Sequence, residues 1–200
     1  MEPISVPVIY QAITAFASRD ETRQPLRCIK FTPQGLEATD SYRFCAIELP
    51  MGQDFEPFLV RVDLLKAALA GVGKKSKPAR FGKAVHAYFT LLPTGGMVNV
   101  QAAVGSLDGR EQVTTILPVT QGTFPSLEDA TRACVSQDPG DRQPIGLNTE
   151  LFAGTMTALN RLGCHAVETT WASPTKAIQM HGTTALGHGI TVVQMPVRIG

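Results

Sequence analysis

The side chains that could do chemistry are scattered along this chain rather than grouped. His86, His165, His181 and His188 form no triad and no metal-ligand spacing, and the nearest approach is His181 and His188, which flank one expected turn. Asp40, Asp63 and Glu150 fall at turns and expected helix starts, where satisfying free backbone N–H groups explains a carboxylate. Cys28, Cys45, Cys134 and Cys164 are far apart with no C-x-x-C pair, so they read as reduced thiols, Cys28 and Cys45 in strands, and not as a zinc site. The segment from Gly182 to Gly189 has glycines but neither phosphate-loop order nor a following helix, and is expected to be a flexible hairpin. Catalysis, cofactor binding and metal binding are therefore not expected. What remains is the chemistry of binding. Two strings each carry one arginine, the strand turn Ala38-Thr39-Asp40-Ser41-Tyr42-Arg43-Phe44 and the apolar tail Met195-Pro196-Val197-Arg198-Ile199. Cations able to meet phosphates are Arg19, Lys66 and Arg161 on expected helices, and Lys74, Lys75, Lys77, Arg80 and Lys83 in a Gly- and Pro-rich loop, where a solvated run is the plainer explanation.

Positioning these residues requires a scaffold, and the chain announces one by repetition. Residues 4–13, 60–69 and 147–156 superpose without gaps. Each passes from an extended apolar residue into a helix. The pairs Val8/Ile9, Leu64/Leu65 and Leu151/Phe152 return four residues later as Ala12/Ile13, Ala68/Leu69 and Thr155/Met156, which makes one helical face. Pro7, Asp63 and Thr149 suit the helix starts.

After each helix the period falls from about 3.6 to 2. Expected strands are 26–32, 36–39 and 43–49, then 85–92, 97–104 and 112–119, then 166–171, 177–181 and 189–198, separated by Gly-, Pro- and Asp-rich turns. The unit is strand, helix and three strands, used three times. The fold class is α+β, with antiparallel sheets and helices on one face. Between Glu128 and Gln143 periodicity is lost, so residues 129–142 are expected to link a two-unit domain, 1–128, to a one-unit half domain, 143–200. A lone unit leaves apolar surface uncovered, so oligomerisation is expected.

Composition narrows the partners little. The 200 residues are 44% hydrophobic and 18% charged, an ordinary globular balance, and the net charge of +1 means that any nucleic-acid contact must come from a local basic face. No run approaches the roughly 18 to 20 apolar residues of a membrane span, and the start lacks signal-peptide order, so the expected location is the cytoplasm.

The strings at 20–26 (DETRQPL), 38–43 (ATDSYR), 122–125 (GTFP) and 195–199 (MPVRI) resemble, in that order, the bacterial DNA polymerase III β sliding clamp family. The resemblance implies a shortened clamp, with residues 1–128 similar to the whole middle domain and 143–200 to the second half of the last domain. It implies a peptide-binding groove between the two parts, lined by Leu26, Thr39, Ser41, Tyr42, Arg43, Phe44, Pro125, Asn148, Leu151, Thr175, Ala177, Val193, Met195, Pro196, Val197 and Arg198. Apolar side chains would bury the anchors of short motifs from replicative or repair polymerases and other proteins, with Arg43 and Arg198 fixing polar ends.

It further implies a non-enzymatic processivity factor, nucleoid-associated if it encircles duplex DNA without reading sequence, with a clamp loader as a further partner. A family ring holds twelve units, so three per chain implies a homotetramer. Two departures bear on peptide preference: Asp129 and Ala130 stand where the family has a basic and then an aliphatic residue, and Leu151 where an aromatic is common. The alternative is a clamp-derived peptide-binding or clamp-regulating module that forms no ring and binds no DNA. The plainest alternative for the groove residues is the packing of strand ends.

Overall fold

A computed structural model describes residues 4–73, 87–94, 96–106, 109–132, 145–171 and 176–197. Among these residues eleven strands form one antiparallel sheet: β1 (Ile4–Pro7), β2 (Cys28–Thr32), β3 (Gly35–Thr39), β4 (Arg43–Glu48), β5 (Phe58–Arg61), β6 (Ala87–Thr94), β7 (Met97–Ser106), β8 (Gly109–Thr120), β9 (Val167–Thr170), β10 (Ile178–Thr183) and β11 (Gly189–Gln194). Their order is β1-β6-β7-β8-β5-β2-β3-β4-β11-β10-β9. The α-helices are α1 (Val62–Gly73), α2 (Leu127–Arg132) and α3 (Thr149–Arg161), joined by 3₁₀ helices at Val8–Phe16 and Gln24–Arg27. The expected antiparallel sheet is what the chain forms, with the first 3₁₀ helix, α1 and α3 on one face and the short α2 on the other, and the arrangement is compatible with three units.

The strands lie close to where alternation puts them, and the pairing adds what alternation does not contain. The first two units exchange leading strands: β1 pairs with β6, and β5 pairs with β2. The three closing strands of the units are β4, β8 and β11, and β4 and β11 pair with each other from Arg43↔Gln194 to Ile47↔Ile190. That pairing runs the sheet from the first unit into the third. One buried apolar cluster follows it, from Ile4, Tyr10, Phe16 and Phe31 to Leu159, Leu162, Met180 and Val192.

Four local expectations are corrected. The first helix is 3₁₀, because β-branched Val8, Ile9, Ile13 and Thr14 resist the α turn and neither a side-chain cap nor end charges assist it. At three residues per turn Tyr10, Ile13 and Phe16 form the buried row, while Ile9 and Ala12 of the expected face are only half-buried. Leu26 lies in the Pro25-containing 3₁₀ turn and not in β2, since proline fixes the backbone there. The cap of α3 is Asn148, whose Oδ1 accepts from the Leu151 N–H at 2.9 Å, and Thr149 is already helical; no strand precedes it among the described residues 145–148.

The fourth concerns the expected linker. Residues 129–132 belong to α2, which a reciprocal cap starts: Ser126 Oγ accepts from the Asp129 N–H at 3.0 Å and donates to Asp129 Oδ2 at 2.6 Å. The 182–189 hairpin closes through Thr184 N–H to His188 O at 2.9 Å and Gly187 N–H to Thr184 O at 3.0 Å. His188 Nδ1 and Thr184 Oγ1 both bond Tyr10 Oη, which ties the third unit to the first helix, while His181 turns to Thr191.

Candidate functional site

The turn between β3 and β4 is built by its own side chains. Asp40 Oδ1 accepts from the N–H groups of Tyr42 at 2.9 Å and Arg43 at 2.8 Å, and Thr39 Oγ1 donates to Arg43 O at 2.7 Å. Ser41 takes a left-handed backbone, φ +79°, and its hydroxyl accepts from Arg23 at 2.8 Å. Asp40, Thr39 and Ser41 therefore shape the turn that presents Tyr42. The outgoing tail then runs along it: Met195 N–H donates to Tyr42 O, and Val197 N–H to Gly146 O, both at 2.9 Å. These two bonds bring the turn and the tail together with the residues just before α3.

Alternation along β4 sorts the side chains by face. Cys45 and Ile47 join the main core under the helices, whereas Phe44 and Ala46 form a second apolar cluster with Ala177 and Val193 on the other face. Phe124, Leu127 and Ala130 pack against that cluster, with Phe124 edge-on to Phe44 at 6.3 Å between ring centres. Lys30 Nζ sits 5.7 Å from the Phe124 ring centre. Around this floor the large apolar side chains are open to solvent: Tyr42 is 62% exposed, Met195 44% and Val197 39%. Exposed apolar side chains beside a buried apolar floor suit a partner that brings apolar anchors.

Phe44, Ala177, Val193, Tyr42, Met195, Pro196 and Val197 of the expected lining thus come to one region, with exposed Pro125 between Phe124 and α2. Leu26 is half-buried in its 3₁₀ turn, beside Pro25, whose ring lies against Gly122. Asn148 is the exposed cap of α3. Thr175 and Arg198 lie outside the described residues.

Arg43 and Leu151 face the other way. Arg43 is 9% exposed, and its guanidinium bonds Asp40 Oδ2 from Nη2 at 2.7 Å and from Nε at 3.0 Å, Ala15 O at 3.1 Å and Leu151 O at 3.3 Å. It also covers the Phe16 ring at 5.3 Å. An odd position between Tyr42 and Phe44 has to point to the helix side, so Arg43 fastens β4 to two helices and is not turned to the groove. Leu151 lines the same helix-side cleft. Sequence reading missed Ala46, Phe124 and Leu127 as lining and had Ala130 only as a departure bearing on peptide preference; the Ser126-x-x-Asp129 capping signal was the available clue to α2.

On the helix face Arg19, Lys66 and Arg161, all exposed, line one cleft of about 580 Å³ with Ile9, Ala12 and Val62. A second cleft of about 450 Å³ shares Arg19 and Arg161 and adds Asp40 and Glu150. Asp63 opens the same face on α1, its carboxyl held below the usual range first by the hydrogen bond from Arg61. Lys74, Lys75, Lys77, Arg80 and Lys83 lie outside the described residues. Burial raises the thiol pKa of Cys28 and Cys45. Among the described residues no group of acidic, His and Cys side chains could hold a metal, and no helix is long and apolar enough to cross a membrane.

No family model and no curated protein sequence matches the chain. Solved structures do. The β subunit of DNA polymerase III from Thermotoga maritima superposes on all of this chain and 67% of its own, with a TM-score of 0.63 and 14% identity. The Helicobacter pylori β clamp, bound to a DNA ligase peptide, matches 98% of this chain and 64% of its own at a TM-score of 0.61 and 13% identity. This is the sliding-clamp fold. A PCNA2–PCNA3 complex from Sulfolobus tokodaii extends the likeness, covering 98% of this chain and 99% of the matched one at a TM-score of 0.53 and 11% identity. The chain spans about two thirds of the length of the bacterial clamp chains. The resemblance read from the sequence and the likeness in three dimensions agree on the clamp, and at this identity the agreement concerns the fold.

Proposed function

We propose that this protein is a non-enzymatic, sliding-clamp-like processivity factor for DNA replication or repair, which holds short peptide motifs of polymerases and other partners on the outer face of its sheet. The observation that carries the reading is the apolar floor of Phe44, Ala46, Ala177 and Val193, walled by α2 and rimmed by exposed Tyr42, Met195 and Val197. A short extended peptide gains most from two or three anchors buried in such a site, with backbone bonds fixing its direction. The Helicobacter clamp bound to a ligase peptide and a Bartonella birtlesii clamp bound to griselimycin, similar at a TM-score of 0.60, support this occupant.

In the same reading residues 1–128 act as a complete clamp-like domain and 143–200 as half of one. Arg19, Lys66 and Arg161 on the helix face are the cations that would meet phosphates if an oligomeric ring encloses duplex DNA, a step that would call on a loader. A peptide-binding module without DNA is the second reading, favoured by Asp40 and Glu150 in the cleft shared with Arg19 and Arg161.

The test is fluorescence anisotropy with a labelled clamp-binding peptide from a replicative polymerase. Tyr42→Ala and Met195→Ala should each weaken binding about 5- to 30-fold, the size of a 1–2 kcal/mol anchor, while thermal unfolding stays where it is. Binding unchanged in both variants, or no binding by the parent chain, removes the groove assignment. Retention on nicked circular but not linear DNA separates the clamp from the module.

A further inference from the structure

Each of the first two units lends its leading strand to the other. β1 lies beside β6, the first strand after the second unit's helix, and β5 beside β2, the first strand after the first unit's helix. β5 is held on both edges, by β2 and by the end of its own closing strand, where Leu59 and Val60 face Thr120 and Val119. The third unit repeats half of this arrangement. Carrying the gap-free match of 60–69 with 147–156 back by two residues sets 145–148 against Phe58–Arg61 of β5. Gly146 then stands where Leu59 does, and it too meets the continuation of its own closing strand, since Val197 N–H donates to Gly146 O. On the other edge the 145–148 segment has no strand beside it among the described residues, and β9, the counterpart of β2, ends the sheet with β10 as its neighbour.

We propose that residues 145–148 of one copy of the chain lie antiparallel along the open edge of β9 in a second copy, and the reverse, so that two third units complete each other about a two-fold axis as the first and second units do within one chain. The backbone groups are placed for it. Met195 N–H donates to Tyr42 O, and alternation carried from that bond across β11 and β10 turns the N–H and C=O of Glu168 and Thr170 toward β10 and those of Val167 and Thr169 outward. Gly146 O is turned to the tail, so the groups of Ile145 and Leu147 are turned the other way. Two outward residues on each side, one residue apart, make a short antiparallel ladder with Leu147 across from Val167 and Ile145 across from Thr169. The precedent is Val60 across from Ile29 and Phe58 across from Phe31.

Side chains argue for the same occupant. Phe58, Val60, Leu65 and Leu69 of the second unit are buried. At the matching places of the third unit Ile145, Leu147, Phe152 and Met156 are only half-buried, so the apolar surface that the first two units hide in each other stays partly open here. β2 is buried at four of its five positions, whereas β9 is exposed from Glu168 to Thr170, and Trp171, next along the chain, is 45% exposed. Four residues are enough for the ladder, since β1 and β5 are also four residues long. A unit that lacks a neighbour both for its leading segment and for its first strand is complementary to itself, and one two-fold contact with a second copy supplies both at once.

This contact rests on the reading of the chain as clamp-like units but does not use the groove, so the peptide anisotropy assay tells its failure from failure of the peptide reading. The experiment is sedimentation equilibrium of the full chain and of Thr169→Pro, Ile145→Pro and Met156→Lys. Emission of Trp171, the chain's only tryptophan, is read on the same samples, and far-UV circular dichroism checks each fold. Each proline removes one outward N–H without touching the β9–β10 ladder or the bond to the tail, and the lysine puts a charge on the half-buried face of α3.

The expected result is a parent chain of at least twice the monomer mass, halved by each of the three variants, with Trp171 emission moved to longer wavelength and peptide affinity within about twofold of the parent. A parent that stays monomeric at the highest attainable concentration overturns the proposal. So does a mass that no variant lowers, or one lowered by only one of the two prolines, which would mean that β9 and the 145–148 segment do not meet each other. Should a proline variant fail to fold, hydrogen exchange of the parent at Ile145, Leu147, Val167 and Thr169 decides: slow exchange supports the pairing, and exchange at the rate of open amides overturns it.

Discussion

Replacing Arg43 by alanine separates an anchoring role from a peptide-contact role. The guanidinium makes two bonds to Asp40 Oδ2 and one each to the carbonyls of Ala15 and Leu151. Truncation leaves the Asp40 carboxylate, 13% exposed, with its backbone donors but without its cation, and strips two carbonyls of a partner. Breaking one side of a buried ion pair costs about 3–5 kcal/mol. In a chain of this size each kcal/mol lowers the melting temperature by about 2–4 °C, so Arg43→Ala should melt about 6–20 °C below the parent. Thermal and urea unfolding followed by near-UV circular dichroism reads this. An Asp40→Asn background supplies the cycle: the penalty of Arg43→Ala should shrink there by about 1.5–3 kcal/mol, the value of a charge-assisted bond. An Arg43→Ala protein that melts with the parent yet loses peptide binding would refute the reasoning and return the guanidinium to the groove.

Three further outcomes follow from the same geometry. Ser126→Ala removes the reciprocal cap of α2, about 0.5–2 kcal/mol of local helix stability, and should weaken peptide binding more than it lowers global stability; hydrogen exchange at residues 127–132 would report the fraying. Joint replacement of Arg19, Lys66 and Arg161 by alanine should weaken duplex binding and reduce the slope of log K against log salt by about 0.9 for each phosphate no longer neutralised; an unchanged slope removes this cleft from any role in holding DNA. The Asp63 carboxyl is depressed chiefly by its bond from Arg61, so its contribution is present above the unfolded carboxylate pKa and is lost as pH falls through the folded value. The pair is surface-exposed, so Asp63→Asn should cost about 0.2–1 kcal/mol at neutral pH and nothing in acid, in urea titrations at the two pH values.

Sequence alone determined where most strands lie, because alternation is a local property and survives without a partner. It placed Cys28 and Cys45 in strands, ended β3 before the Asp40-Ser41 turn, and located the starts of α1 and α3 within a residue. It also identified the two strings whose backbones meet as Met195 to Tyr42. The same pattern misread residues 8–16, since an apolar residue four places on fits both an α face and the flank of a 3₁₀ row, and only the packing of Tyr10, Ile13 and Phe16 against the sheet decides between them. It took residues 129–132 for linker, because a six-residue helix is too short to show a period and is visible only through its cap.

Face and partner were left to tertiary structure. Nothing local says that Arg43 turns toward Ala15 and Leu151 while Phe44 turns toward Val193 and Phe124. The assignment depends on which side the helices occupy, and that follows from the exchange of β1 and β5 and the pairing of β4 with β11, which join residues far apart in the chain. The composition of a groove is written in consecutive residues; its floor, its walls and the open edge of β9 exist only after those distant strands have met.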